Sequence, residues 1–574
     1  MRSFTALLVL AAIPAHALWP QAATPPRRTS GVRFEISFPA SVHQGPLTGR
    51  VFVAVSRKGG EEPRMAGYNS ARHRDGEVPL FATDLSAVPP GGVAVVDGSA
   101  EGYPYPTLRD LPAGDYYVQA IVNVYTQFRR SDGHTIWAHQ DQWEGQRWGF
   151  SPGNIYSEPQ HVRLDPKAGT VVKLNLTKVI PPIELPADTK NVKHIKVQSK
   201  LLTAFWGQPM YLGATVLLPK GYDEHPNLRY PVIYEQGHFG LEPAFGYTTT
   251  PPSGAPSLFA DMIREAGSKS ESGYQFSQEW ESDTLPRMIA VTFQHPTPFF
   301  DDSYAVNSAN NGPYGDAIMT ELIPYLEEHY RIIAKPYARV LTGGSTGGWE
   351  SLALQVYHPD FFGGTWTFFP DPVDFRQYQL VNIYSDTNAF LVPNAVYGQP
   401  ERPFQMNVQG QTVATNRMMS RLEHLAGTHG RSAWQIDAWN AAYGPVGADG
   451  YPREVWDMKT GKIDREVAYY MRDHGYDLRY YLEQNWPKIG PSLVGKIRVY
   501  CGDMDHFFLA FAVYRLEEFL ESTRTPYYAG KFEYGRPMKG HGWHPMTNAE
   551  LMQMMAAEIT KNAPAGEDTR AWRY

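Results

Sequence analysis

Gly343-Gly344-Ser345-Thr346-Gly347 holds a serine with a glycine two residues away on either side. That spacing suits a tight strand-to-helix elbow, where small neighbours permit the turn and the serine Oγ stands exposed at its tip. The flanks agree: Arg339 to Thr342 reads as a strand and Trp349 to Tyr357 as a helix. A serine hydroxyl is a weak nucleophile at neutral pH, so the chemistry requires a base and an acid that orients the base. With such an elbow the chain order is serine, acid, histidine. Downstream, the apolar run Ile497 to Tyr500 ends in Cys501-Gly502-Asp503-Met504-Asp505-His506. Asp505 is the preferred acid at that strand tip, with Asp503 as its alternative. Asp371 and Asp374, after the run Thr365 to Phe369, are fallbacks that would otherwise cap a loop. Lys539-Gly540-His541-Gly542-Trp543-His544 supplies the base, and the glycines beside His541 favour it over His544.

Acyl transfer through a serine also needs N–H donors for the oxyanion. The Thr346 amide, at the start of the helix, is one. The second is expected in Glu235-Gln236-Gly237-His238-Phe239-Gly240, the loop after the strand Tyr230 to Tyr234, with the His238 amide preferred to that of Phe239. Gly237 and Trp349 are candidate substrate contacts, and Trp434 and Trp439 are aromatics that would suit a sugar or aromatic acyl group. No metal or organic cofactor is implied. His134 and His139 lack an evident third ligand and are expected in a solvated β-hairpin loop. Cys501, the single cysteine, is expected as a buried small residue in an apolar strand.

These residues must be held by two different kinds of architecture. From about Val32 to Leu176 the chain reads as short alternating strands, among them Val32 to Ile36, Arg50 to Val55, Tyr117 to Val122 and Thr170 to Leu176, with no helical period between them. The expectation is an all-β, immunoglobulin-like sandwich over residues 18–180. A proline-rich linker covers 181–191. From 192 to 574 short apolar strands alternate with amphipathic helices, which implies an α/β fold with a mostly parallel sheet. Residues from about 375 to 495 fit neither pattern. Rich in Tyr, Trp, Asn, Gln and Gly, with possible helices at Arg417 to Leu425 and Arg465 to Leu482, they are expected to form a cap-like insertion or an oligomer contact.

Composition bounds the function. Across 574 residues, 52 basic and 59 acidic side chains leave a net charge of −7, which argues against nucleic acid as the main partner. Arg2, the apolar run Phe4 to Ile13 and Ala15-His16-Ala17 read as a signal peptide over residues 1–17 cleaved after Ala17, so a secreted or periplasmic protein is expected. That run is too short to span a bilayer, and no later stretch is apolar enough to do so. With one cysteine there can be no intramolecular disulfide.

Tyr230 to Tyr234, Glu321 to Arg331, Ser345-Thr346-Gly347-Gly348, Gly502 to Asp505 and Gly540 to Trp543 together resemble the esterase D-like branch of the α/β-hydrolases. That branch includes feruloyl, acetyl-xylan and siderophore esterases. The resemblance implies Ser345 as nucleophile, Asp505 as acid and His541 as base. The family usually has His-Gly where Gln236-Gly237 stands, and Met where Thr346 stands. The expectation is an exported serine esterase acting on a small-molecule or polysaccharide ester. The alternatives are an acyltransferase or peptidase with the same triad, or a polysaccharide- or cell-surface-binding protein on a hydrolase scaffold.

Overall fold

A computed structural model describes residues 31–574 except 74, 254–267, 270 and 397; the expected signal segment lies outside the described residues. Eight strands of the second half form one sheet: β1 (Val192–Ser199), β2 (Met210–Leu217), β3 (Val232–Gln236), β4 (Ile289–Gln294), β5 (Arg339–Gly344), β6 (Gly364–Phe368), β7 (Ile497–Gly502) and β8 (Lys531–Gly535). Their spatial order is β1-β2-β4-β3-β5-β6-β7-β8. The β1–β2 and β2–β4 pairs are antiparallel, and every pair from β4 to β8 is parallel. The central strands β3 to β6 are buried almost throughout, as continuous apolar runs covered on both faces must be.

The first half behaves differently. Eight of its strands are hydrogen-bonded along one path from Ala94–Val96 to Glu101–Tyr103, a ninth (Gln160–Leu164) pairs beside that path, and Thr126–Arg129 with Thr135–Ala138 form a separate hairpin, so the expected sandwich is not seen as two unconnected sheets. Nor is the region all-β: helix α1 (Pro63–His73) lies between two paired strands, its short apolar face too weak to show as a period. Strand alternation splits the burial in two. Val51, Val53 and Val55 enter the sheet's own core with Val118, Ala120 and Val122. Phe52, Ala54 and Ile121 point the other way, into a second core shared with α1, Trp148 and two residues of the insertion, Leu422 and Leu425.

The insertion carries helices α2 (Asn416–Ala426) and α3 (Gln435–Tyr443), a hairpin (Pro403–Met406 with Thr412–Thr415), and two further helices. The helix expected over Arg465 to Leu482 is broken into Arg465–Asp473 and Leu478–Leu493, with Gly475 at φ +90° between them. Buried Arg50 of the first half donates to the carbonyls of Leu425 (2.8 Å) and His424 (3.1 Å) at the end of α2. Those carbonyls have no intrahelical partner, so an arginine from outside satisfies them. Glu423, on the same helix, accepts the amides of Ile436 (3.0 Å) and Asp437 (2.8 Å) in the first turn of α3.

Candidate active site

Ser345 follows β5 and precedes a helix over Thr346–Tyr357, at φ 58° and ψ −122°, a conformation that non-glycine residues avoid and that an elbow imposes. The turn closes only because its neighbours are small. A Cβ on Gly347 would lie 1.9 Å from the carbonyl oxygen of Gln236. The expected nucleophile thus stands half-buried at the carboxyl end of the parallel strands, where open α/β sheets bind ligands.

Asp505 and His541 are brought together. Asp505 follows β7, its Oδ1 accepts the amides of Phe507 (2.9 Å) and Leu509 (3.3 Å), and its Oδ2 lies 2.8 Å from His541 Nδ1. A carboxylate only accepts, so Nδ1 carries the hydrogen and Nε2 presents a lone pair. The imidazole is packed between Phe369 and Phe507, at ring separations of 4.6 and 4.9 Å. The competing residues are engaged elsewhere. Asp503 Oδ1 accepts the Lys539 amide, and Asp374 accepts the amide and guanidinium of Arg376. His544 bonds the Gly542 carbonyl, and burial pushes its pKa down to about 4.

Asp371 does something the sequence did not foretell. Its Oδ1 accepts from Ser345 Oγ at 3.4 Å, and its Oδ2 accepts from Tyr304 Oη (2.7 Å), Thr346 Oγ1 (3.0 Å), Gln435 Nε2 (3.0 Å) and Trp439 Nε1 (3.3 Å). Gln435 also donates to Tyr304. Two of these donors come from α3, so the insertion reaches the serine. Trp439, expected from sequence as an aromatic suited to a sugar or aromatic acyl group, is buried and serves through its N–H. Trp434 is not on this carboxylate; it packs at the core shared with the first half. Trp349 is fully buried between Tyr304 and Tyr443, so the expected substrate contact is core packing.

The amides of Thr346 and His238 donate to no described group, which leaves both available. Gly237 has open space where a Cβ would stand. The Gln236 side chain, at the position where the resembled family has histidine, is buried with neither amide atom partnered among the described residues. The His238 imidazole turns away, to Asp301 (3.1 Å) and Asp302 (3.3 Å). Burial opposes its charge, but these two carboxylates prevail and raise its pKa well above the ordinary value.

His295, Asp302 and Glu350 place metal-type ligand atoms within 4.8 Å of one another beneath this loop. His295 Nδ1, however, accepts the Ser303 amide at 2.9 Å. Its Nε2 therefore carries the hydrogen, 3.9 Å from Glu350 Oε1, and has no lone pair for a metal. His134 sits in the expected hairpin loop, between Thr126–Arg129 and Thr135–Ala138. His139 does not: it is buried, with Nε2 on Glu144 (2.9 Å) and Nδ1 on the Val124 carbonyl (3.1 Å). Both ring nitrogens face acceptors, so neither has a lone pair for a metal. Cys501 is buried as expected, and burial raises its thiol pKa well above the ordinary value.

Residues 210–403, which include the elbow and the loop after β3, match the family model described as "Putative esterase". That segment is similar to esterases. No curated protein sequence matches it. Among solved structures, a ferulic acid esterase from Anaeromyces mucronatus is 16% identical, covering 66% of this chain and 91% of its own, with a TM-score of 0.27. An S-formylglutathione hydrolase from Agrobacterium tumefaciens is 10% identical, covering 65% and 94%, with a TM-score of 0.29. Scores this low lend no weight to any particular substrate for this chain. Asp505 and His541 lie outside the matched segment, and no helix among the described residues is long and apolar enough to cross a membrane.

Proposed function

We propose that this protein is a serine esterase that works through an acyl-enzyme on Ser345, with His541 as base and Asp505 as the acid that orients it. The 2.8 Å contact between His541 Nδ1 and Asp505 carries the reading, because it fixes the tautomer whose Nε2 can take the serine proton. Ser345 Oγ leaves Asp371, turns to Nε2 and attacks the ester carbonyl carbon as its proton passes to His541. The oxyanion is received by the amides of Thr346 and His238. The carbonyl–alkoxy bond then breaks, and His541 returns the proton to the departing alcohol. Water repeats the sequence and frees the acid. The 375–495 insertion acts as a cap that builds one wall of the site, and the described part of the first half, from residue 31 to 180, acts as its brace. The amino-terminal pattern supports an exported enzyme.

Hydrolysis of p-nitrophenyl acetate, p-nitrophenyl butyrate and methyl ferulate by wild type and Ser345→Ala tests this. Loss of kcat by about a thousandfold or more in the variant is expected. Turnover indifferent to Ser345 would overturn the reading.

A further inference from the structure

Asp371 is a carboxylate with one oxygen saturated and the other nearly bare. Oδ2 takes four side-chain donors, from Tyr304, Thr346, Gln435 and Trp439, which fix its orientation. Oδ1 has a single side-chain donor, Ser345 Oγ at 3.4 Å. The residue is 4% exposed, so bulk water does little to satisfy that oxygen. The reaction removes even this donor. Once the serine proton moves to His541 and Oγ becomes an ester oxygen, Ser345 has no hydrogen to give. A buried acceptor is then left unpaired, which is costly. The same negative charge stands beside Ser345 Oγ, which bonds the carbonyl carbon that becomes tetrahedral, and so opposes the developing oxyanion.

Resting on the acyl-enzyme reading above, we infer that Asp371 Oδ1 receives a hydroxyl or amine carried by the acyl part of the substrate on the carbon next to the scissile carbonyl. A donor there replaces the lost serine hydrogen and offsets the adjacent charge. It must be on the acyl side, because the alcohol leaves at acylation while the unpaired oxygen persists until deacylation. It must be near the carbonyl, because Oδ1 touches Oγ itself; a hydroxyl at the far end of a long or aromatic acyl chain cannot return to it. The substrate class is therefore an ester of an α-hydroxy or α-amino acid.

Matched ethyl esters test this in the full-length protein. Ethyl lactate and ethyl 2-methoxypropionate share the inductive effect of the α-oxygen, but only lactate has a donor; ethyl alaninate presents the amine. The expected result is a kcat/KM for lactate or alaninate on the order of 100-fold above the methoxy ester. In Asp371→Asn that ratio should fall to near one or invert, since the carboxamide would keep its oxygen on the four donors and turn its NH2 toward the substrate. Equal wild-type rates for the hydroxy and methoxy esters would overturn the inference, as would a preference that survives in folded Asp371→Asn. A preference confined to an alcohol-side hydroxyl, glycerol monopropionate over propyl propionate, would overturn it too. If the variant does not fold, the wild-type ratio alone decides. Labelling of Ser345 by a fluorophosphonate separates the two readings: a labelled enzyme without the preference loses only this inference, whereas an unlabelled one loses the acyl-enzyme as well.

Discussion

Asp505 and Asp371, the two carboxylates of the candidate site, are held in opposite ways. Asp505 is fixed by the amides of its own loop and by one imidazole, all within residues 505–541. Asp371 is held by side chains at 304, 346, 435 and 439, and the two from α3 depend on a relay that begins in the first half. Arg50 secures the end of α2, Glu423 of α2 secures the start of α3, and α3 carries Gln435 and Trp439. The side that moves protons is local and self-contained. The side that meets substrate is assembled from the whole chain, which is where specificity can change without touching the proton path.

That contrast can be broken from either side. Asp505→Asn keeps the shape but lets the imidazole take the wrong tautomer, so kcat should fall about 10³–10⁴-fold on every ester while the melting temperature barely moves. A general loss of selectivity in this variant would erase the distinction between the two sides. Arg50→Ala leaves two helix-end carbonyls and Asp84 without their buried partner and should cost about 2–4 kcal/mol in urea unfolding. Below its transition the variant should label normally with a fluorophosphonate yet discriminate poorly among esters; lost labelling would mean that the brace supports the proton path too. Trp439→Phe removes one donor from Asp371 at nearly constant volume, for which a drop of about tenfold in kcat/KM on the preferred ester is expected, with labelling unchanged.

The smallest effect concerns Glu235, at the base of the loop that carries His238. Burial raises its pKa to about 7, against the opposing bond from the Phe245 amide at 2.6 Å. A carboxyl whose folded pKa exceeds its unfolded value stabilises the fold below the unfolded pKa, near 4.5, and loses that contribution as the pH rises through about 7. Glu235→Gln removes the titration. Thermal melts should therefore favour the variant more at pH 8 than at pH 5; an advantage independent of pH would show that Glu235 is charged throughout.

The legibility of these two sides from sequence follows the same divide. Ser345, Asp505 and His541 each lie in a local pattern, an elbow between strand and helix, a strand tip, a glycine-flanked loop, and local patterns survive in one dimension. The strands β3, β5, β6 and β7 announced themselves as apolar runs, with ends misplaced by one or two residues. Asp371 was legible as a fallback acid but not as the acceptor beside the serine, because its four donors are up to 135 positions apart. Trp349 misled because an aromatic one turn beyond a nucleophile looks the same whether it faces a cleft or the core. Helix α1 escaped notice since its residues bury mostly small groups, Ala66, Gly67, Ser70 and Ala71, against the sheet.

The face formed by Phe52, Ala54, Ile121, Trp148, Leu422 and Leu425 has a practical meaning. Although an extended, exposed stretch of prolines separates the two halves, cutting the gene there would not yield two independent modules. Each fragment would bare half of an apolar seam, and soluble expression of the carboxyl-terminal piece would fail before its chemistry could be assayed. The amino-terminal half is thus part of the foundation on which the carboxyl-terminal half stands.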